Sequence, residues 1–205
     1  MKKLYIIGAH RVGKTYLCEQ LAAQDPEIHF ARTGLKRVFK PIWEEVKGAM
    51  REGDRKRFYA LVVELQRKLA RTVIEDSESI PPDSKKVVLD RAIIDVLAYS
   101  SNYLETCSGF VGTLGLTFDH IEDFYAMVWM EIVPMLDKDA KYLLVQPGIE
   151  FIPVEGSLDE ATQQKTSDNM IKWASRLLPP ENLVIIPTRT TNLKDRMAYA
   201  TELLN

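Results

Sequence analysis

Cysteine is scarce in this chain and badly placed for cross-linking. Cys18 and Cys107 stand alone among 205 residues, so a disulfide framework and a cysteine-based metal site are both excluded, and a reducing cytoplasm is the expected location. Long hydrophobic runs are missing as well. No stretch approaches the roughly 18 consecutive apolar residues of a membrane span. The first apolar run, Leu4-Tyr5-Ile6-Ile7, is too short for a secretion signal. Histidine is limited to His10, His29 and His120, scattered without ligand spacing, which favours structural roles over catalytic ones. A formal net charge of only -2 argues against a protein that coats nucleic acid. There is no internal repeat and no low-complexity linker. The chain also lacks an Asn-Lys-x-Asp run of the kind that reads guanine, which disfavours a GTP-driven switch.

What is present begins at residue 8. Gly8-Ala9-His10-Arg11-Val12-Gly13-Lys14-Thr15 has the spacing G-x-x-x-x-G-K-[ST] of a phosphate-binding loop. Its glycines let the backbone wrap a phosphate chain without Cβ clashes. The amides then face the anion, and the next helix aims its positive dipole end at it. Lys14 is placed to reach the β- and γ-phosphates, and the Thr15 hydroxyl to ligate Mg²⁺. Gly8, Arg11, Val12, Gly13, Lys14, Thr15 and Tyr16 are therefore the expected contacts to the nucleotide, with ATP and Mg²⁺ as cofactors. The context agrees, because a strand-forming run ends at Gly8 and Leu17 and Leu21 follow at helical spacing.

With 205 residues and a normal apolar share of 46%, the chain is expected to be one domain over 1–205. Strands and helices alternate, which predicts a parallel sheet with helices on both faces. Strands are expected at about 3–7, 28–32, 87–90, 141–147 and 183–187. Helices are expected at about 35–52, broken by Gly53-Asp54, and at about 55–77, 92–107, 119–136, 158–177 and 193–204. In the 119–136 helix, Ile121, Phe124, Tyr125, Val128 and Ile132 are expected to face inward. Gly109 to Gly115 reads as a glycine loop, and 148–157 as irregular. Five strands with a phosphate loop after the first place ligands at the carboxyl edge of the sheet.

A second constellation falls on that edge. Val87-Val88-Leu89 ends in Asp90-Arg91. An acid closing an apolar strand beside a phosphate loop serves Mg²⁺, directly or through water, or accepts a proton from an attacking hydroxyl. It also suits a helix cap. Arg91 suits bidentate gripping of phosphate or carboxylate. Charge is concentrated nearby. Residues 32–71 hold twelve basic and five acidic side chains, which reads either as solvated helix faces or as a surface gathering an anionic substrate. Phe39, Trp43, Phe58 and Tyr59 lie in this segment, suited to core packing or to stacking a base.

The loop Gly8–Thr15, together with Asp90-Arg91-Ala92-Ile93-Ile94-Asp95-Val96-Leu97-Ala98-Tyr99, resembles the P-loop nucleoside and nucleotide kinases. The similarity is greatest to the ribosylnicotinamide-kinase-like and thymidylate-kinase-like group, which includes phage-encoded members. The resemblance implies a three-layer α/β P-loop fold with a helical substrate-side insertion at about 35–77 and a lid at about 148–160. It implies Lys14, Asp90 and Arg91 as catalytic, Thr15 and Asp90 as metal-associated, and Arg32 and Arg91 as substrate-binding. Asp95 would support them or simply lie on the polar side of its helix. Thr188 to Ala200 is similar to the final strand-to-helix turn near the adenine. One departure stands out: the lid segment carries Glu150, Glu155, Asp159 and Glu160 and no arginine. Lys165 is the nearest cation, and Arg11 either substitutes or is an exposed loop residue.

The expected activity is phosphoryl transfer from ATP to a nucleoside monophosphate or nucleoside-like acceptor. Two alternatives stay open. One is a kinase acting on a base or end within DNA, with 32–71 as the groove. The other is an ATPase or nucleotide-dependent switch without a small acceptor. The oligomeric state, a homodimer included, is not set by these residues.

Overall fold

The computed structural model describes residues 1–108, 126, 128–152 and 159–205, with backbone alone for 103–108. The expected glycine loop at 109–115, Ile121, Phe124 and Tyr125 with their expected inward orientation, His120, the side chain of Cys107 and residues 153–158 of the lid lie outside the described residues.

Five strands form one parallel sheet: β1 (Lys2–Gly8), β2 (Ile28–Arg32), β3 (Lys86–Asp90), β4 (Lys141–Val145) and β5 (Leu183–Ile186), in the order β2-β3-β1-β4-β5. The helices are α1 (Lys14–Gln24), α2 (Leu35–Glu52), α3 (Arg55–Glu78), α4 (Ile93–Ser108), α5 (Glu160–Leu177) and α6 (Leu193–Leu204). Helical backbone over 128–132 runs into a 3₁₀ turn, Val133–Met135, and Val128 and Ile132 are buried as expected.

Strand side chains alternate between two cores, as a period of two requires. Tyr5, Ile7, Val87, Leu89, Tyr142 and Leu144 pack with α3, α4 and α5. Leu4, Ile6, Val88, Leu143 and Val145 pack with α1 and α6. The result is three layers, an α/β P-loop NTPase sandwich. Among the described residues, no helix is long and apolar enough to cross a membrane.

Local chemistry sets the element ends. Gly53 closes α2 in the left-handed region at φ 68°, and Asp54 then caps α3 by accepting from the Arg57 amide at 3.0 Å. Strand register places the site. Asp90 pairs with Ile6 on one side and Arg32 on the other, so the ends of β1, β2 and β3 converge on one edge. Gly8 pairs with Val145. A Cβ there would stand 2.4 Å from the Val145 carbonyl oxygen at φ 153°, so this close approach of strands admits only glycine.

Candidate functional site

Gly8–Thr15 joins β1 to α1, the strand–loop–helix setting expected of its spacing. Gly13 takes φ 87° immediately before α1, a conformation that suits glycine, and Arg11 takes φ 61°. Lys14 is 5% exposed and donates to the carbonyls of Gly8 and Ala9 at 2.7 and 2.6 Å. Burial pulls its ammonium down to about 8, with the nearby Arg91 adding to the effect. An anion delivered to this loop would relieve both influences.

Thr15 Oγ1 donates to Asp90 Oδ2 at 2.5 Å. The other carboxylate oxygen of Asp90, Oδ1, is buried with no hydrogen-bond partner among the described residues. Thr33 Oγ1 donates to the Asp90 carbonyl at 2.8 Å, fixing the strand end. The Thr15 hydroxyl and the Asp90 carboxylate, one of whose oxygens is unsatisfied, form a hard oxygen donor set. It fits Mg²⁺, which keeps waters and phosphate oxygens for its remaining positions. Among the described residues, no group of three or more His, Cys, Asp or Glu could hold a metal by itself.

Arg91 sits at φ 96°, unusual for a residue with a side chain. Its guanidinium lies 3.4 Å from Asp95 and 5.6 Å from the centre of the Tyr99 ring. Asp95 is not on a polar helix face: it is 1% exposed and accepts from the Ala92 amide at 2.9 Å. Burial pushes its carboxyl up to about 6 against the opposing pull of Arg91. Asp95 is thus the residue that orients Arg91, one helical turn away.

These groups open into a cavity of about 760 Å³ that joins the phosphate loop to Arg32, Lys36, Arg37 and Arg91, with Asp90 as the acid in its wall. Arg32, Lys36 and Arg37 are exposed, and Arg32 has Glu19 at 3.9 Å. Lys36 and Arg37 were not singled out by sequence. Their signal is the N-terminal turn of α2, which begins at Leu35, shortly after Arg32 in the chain. A second cavity of about 190 Å³ adjoins, lined by His10, Phe39, Leu69, Val96 and Tyr99 and sharing Arg91 with the first. His10 therefore lines both spaces, which the scattered-histidine reading did not anticipate. Phe39 stacks on Trp43 at 5.6 Å while still facing the smaller cavity. Phe58 is core.

Arg11 is not a free loop residue. It donates to the Ile152 carbonyl and lies 5.7 Å from the centre of the Phe151 ring, gripping the start of the acidic lid segment. Tyr16 stands 56% exposed at the rim of the larger cavity. The turns after β4 and β5 touch behind the loop: a Cβ on Gly148 would lie 2.0 Å from the Thr188 carbonyl oxygen.

No family model and no curated protein matches this chain. Solved structures do. NadR protein in complex with NR superposes with a TM-score of 0.62 at 16% identity, over 99% of this chain, which spans only 50% of the NadR chain. Deoxyadenosine kinase from M. mycoides gives 0.64 at 9% identity, over 99% of this chain and 98% of that one. Thymidylate kinase from Candida albicans gives 0.58 at 12%, over 99% and 90%. The fold of this chain is that of the P-loop nucleoside and nucleotide kinases.

Proposed function

We propose that this protein transfers the γ-phosphoryl group of ATP to a nucleoside monophosphate in the cytoplasm. The observation that carries the reading is the larger cavity. It runs from the phosphate loop to a cluster of four cationic side chains, Arg32, Lys36, Arg37 and Arg91, with an apolar aromatic recess beside it. A polyphosphate donor fills the loop end. The cationic end then suits a second anion, and the recess at Phe39 and Tyr99 suits a flat base.

Lys14 leaves the carbonyls of Gly8 and Ala9 for the donor's phosphates, and the loop amides hold the same oxygens. Thr15 and Asp90 would hold Mg²⁺, which would supply neutralisation of charge on the phosphate oxygens. Arg91, oriented by Asp95, grips the acceptor together with Arg32. A phosphate oxygen of the acceptor attacks the γ-phosphorus. The bond from γ-phosphorus to the β,γ-bridging oxygen breaks, and ADP carries away that electron pair. Because the second pKa of a phosphate monoester lies near 6, the attacking oxygen is already deprotonated. No general base is then required, which agrees with Asp90 facing Thr15. Arg11 supplies the cation that the arginine-free lid lacks, and the lid segment it grips excludes water.

A second reading, transfer to a base within DNA, draws support from the exposed Lys36, Arg37 and Lys40, which continue the cationic rim outward along α2. Labelled ATP offered with nucleosides, their monophosphates, ribosylnicotinamide and modified duplex DNA tests both. Label is expected on a monophosphate. Label on DNA alone, with binding that falls steeply with salt, would replace the first reading by the second. Hydrolysis with no labelled acceptor would overturn both.

A further inference from the structure

A phosphate loop must turn its amides toward one side, and here the side chains that turn them are visible. A planar peptide puts its carbonyl and N–H on opposite sides. Holding one carbonyl outward therefore aims the next residue's amide inward. The carbonyls of Gly8 and Ala9 are held by Lys14, the group that has to leave them to reach a phosphate. The Gly13 carbonyl is taken by the Leu17 amide in the first turn of α1 at 3.0 Å. Two further carbonyls are held from elsewhere in the fold. Gln163 Nε2 donates to His10 at 2.7 Å, and Arg196 Nη1 donates to Val12 at 2.6 Å.

Both side chains are 3% exposed. They come from α5 and α6, helices packed on opposite faces of the sheet. Arg196 Nε also donates to the Thr190 carbonyl at 2.8 Å, in the turn after β5. Its Nη2 is buried with no hydrogen-bond partner among the described residues. Keeping a guanidinium out of water with one nitrogen unpaired is costly, and an apolar residue would fill the space with less penalty. Stability alone does not account for it.

We propose that Gln163 and Arg196 are positioning residues of the phosphate loop. They hold the carbonyls of His10 and Val12 outward so that the amides of Arg11 and Gly13 face the donor's phosphates. They keep the loop in shape once Lys14 has moved to the anion. Through Thr190, Arg196 also makes the phosphate loop and the turn after β5 one rigid wall. The inference rests on the donor-binding reading above.

The test measures the affinity of the full chain for Mg²⁺-ATP and for inorganic tripolyphosphate, with steady-state kinetics alongside. Gln163→Leu should weaken both probes about fivefold, the loss of one neutral hydrogen bond, and Arg196→Met about 10- to 100-fold, the loss of a charged one. Arg196→Lys keeps the charge without the fork and should fall between wild type and Arg196→Met. Gln163→Leu changes no charge, so its effect cannot come from the general field. The KM for ATP should rise while the acceptor KM stays within about twofold, a split that general loosening would not give. Should Arg196→Met fail to fold, Gln163→Leu and Arg196→Lys decide. Folded variants that bind both probes as wild type does, or whose two KM values rise together, overturn this inference alone. Wild-type protein that binds neither probe overturns the functional reading as well.

Discussion

Donor binding should carry a proton with it. Lys14 is pulled from its ordinary 10.5 to about 8 by burial, with Arg91 adding to the effect. That shift corresponds to about 3 kcal/mol of discrimination against the charged form. A triphosphate beside the ammonium removes the discrimination and returns Lys14 toward or beyond its ordinary value. At pH 8.5 the free protein then holds the proton on about a quarter of its Lys14 groups, so binding should take up about 0.7 proton. At pH 7 the uptake should fall to about 0.1. Calorimetry of Mg²⁺-ATP binding in two buffers of very different ionisation enthalpy reads this number directly. Lys14→Met should bind far more weakly and show no uptake. The sign also fixes the stability of the free protein. The unfolded lysine holds its proton up to 10.5 and the folded one only to about 8, so Lys14 makes stability rise with pH across that window. Equal heats in both buffers at pH 8.5 would refute the burial argument.

Four further outcomes are expected. Asp90→Asn should leave ATP affinity nearly intact and lower turnover at least a hundredfold, and unchanged turnover would remove Asp90 from the site. Asp95→Ala leaves Arg91 without its buried partner and should cost about 3–5 kcal/mol in denaturant unfolding. Because burial pushes Asp95 up to about 6, wild-type stability should decline from Asp95's contribution as pH rises from about 4 to 6, and Asp95→Asn should remove that decline. Gly148→Val places side-chain atoms where the Thr188 carbonyl stands, since even a Cβ would lie 2.0 Å away. It should lower stability by about 1–3 kcal/mol and weaken ATP more than tripolyphosphate, measured by thermal unfolding and binding.

Much of this fold is legible in the chain because its signals are local. Gly53-Asp54 gives a left-handed stop followed by a cap, so α2 and α3 separate where the residues say they must. The apolar runs before Gly8 and Asp90 end at the edge where the cavity opens, and parallel register brings Arg32 and Asp90 together. What is hidden depends on long-range packing. Asp95 resembles a solvated helix acid until the neighbouring helices bury it. Gln163 and Arg196 act on a loop 153 and 184 residues earlier in the chain. A sign of them does exist in the sequence. Gln163 shares a helical stripe with Met170 and Ala174, and Arg196 with Ala200 and Leu204, all buried. A polar side chain on an apolar stripe needs a partner that only the folded chain supplies.

The proposed activity passes a phosphoryl group to an acceptor and does not spend it on water. The rate of ADP formation at fixed Mg²⁺-ATP, with and without nucleoside monophosphates, tests this most directly. One monophosphate should accelerate ADP release at least a hundredfold and yield an equal amount of nucleoside diphosphate from the acceptor. ADP formed at one rate whatever acceptor is present, with inorganic phosphate as its only companion, would contradict it.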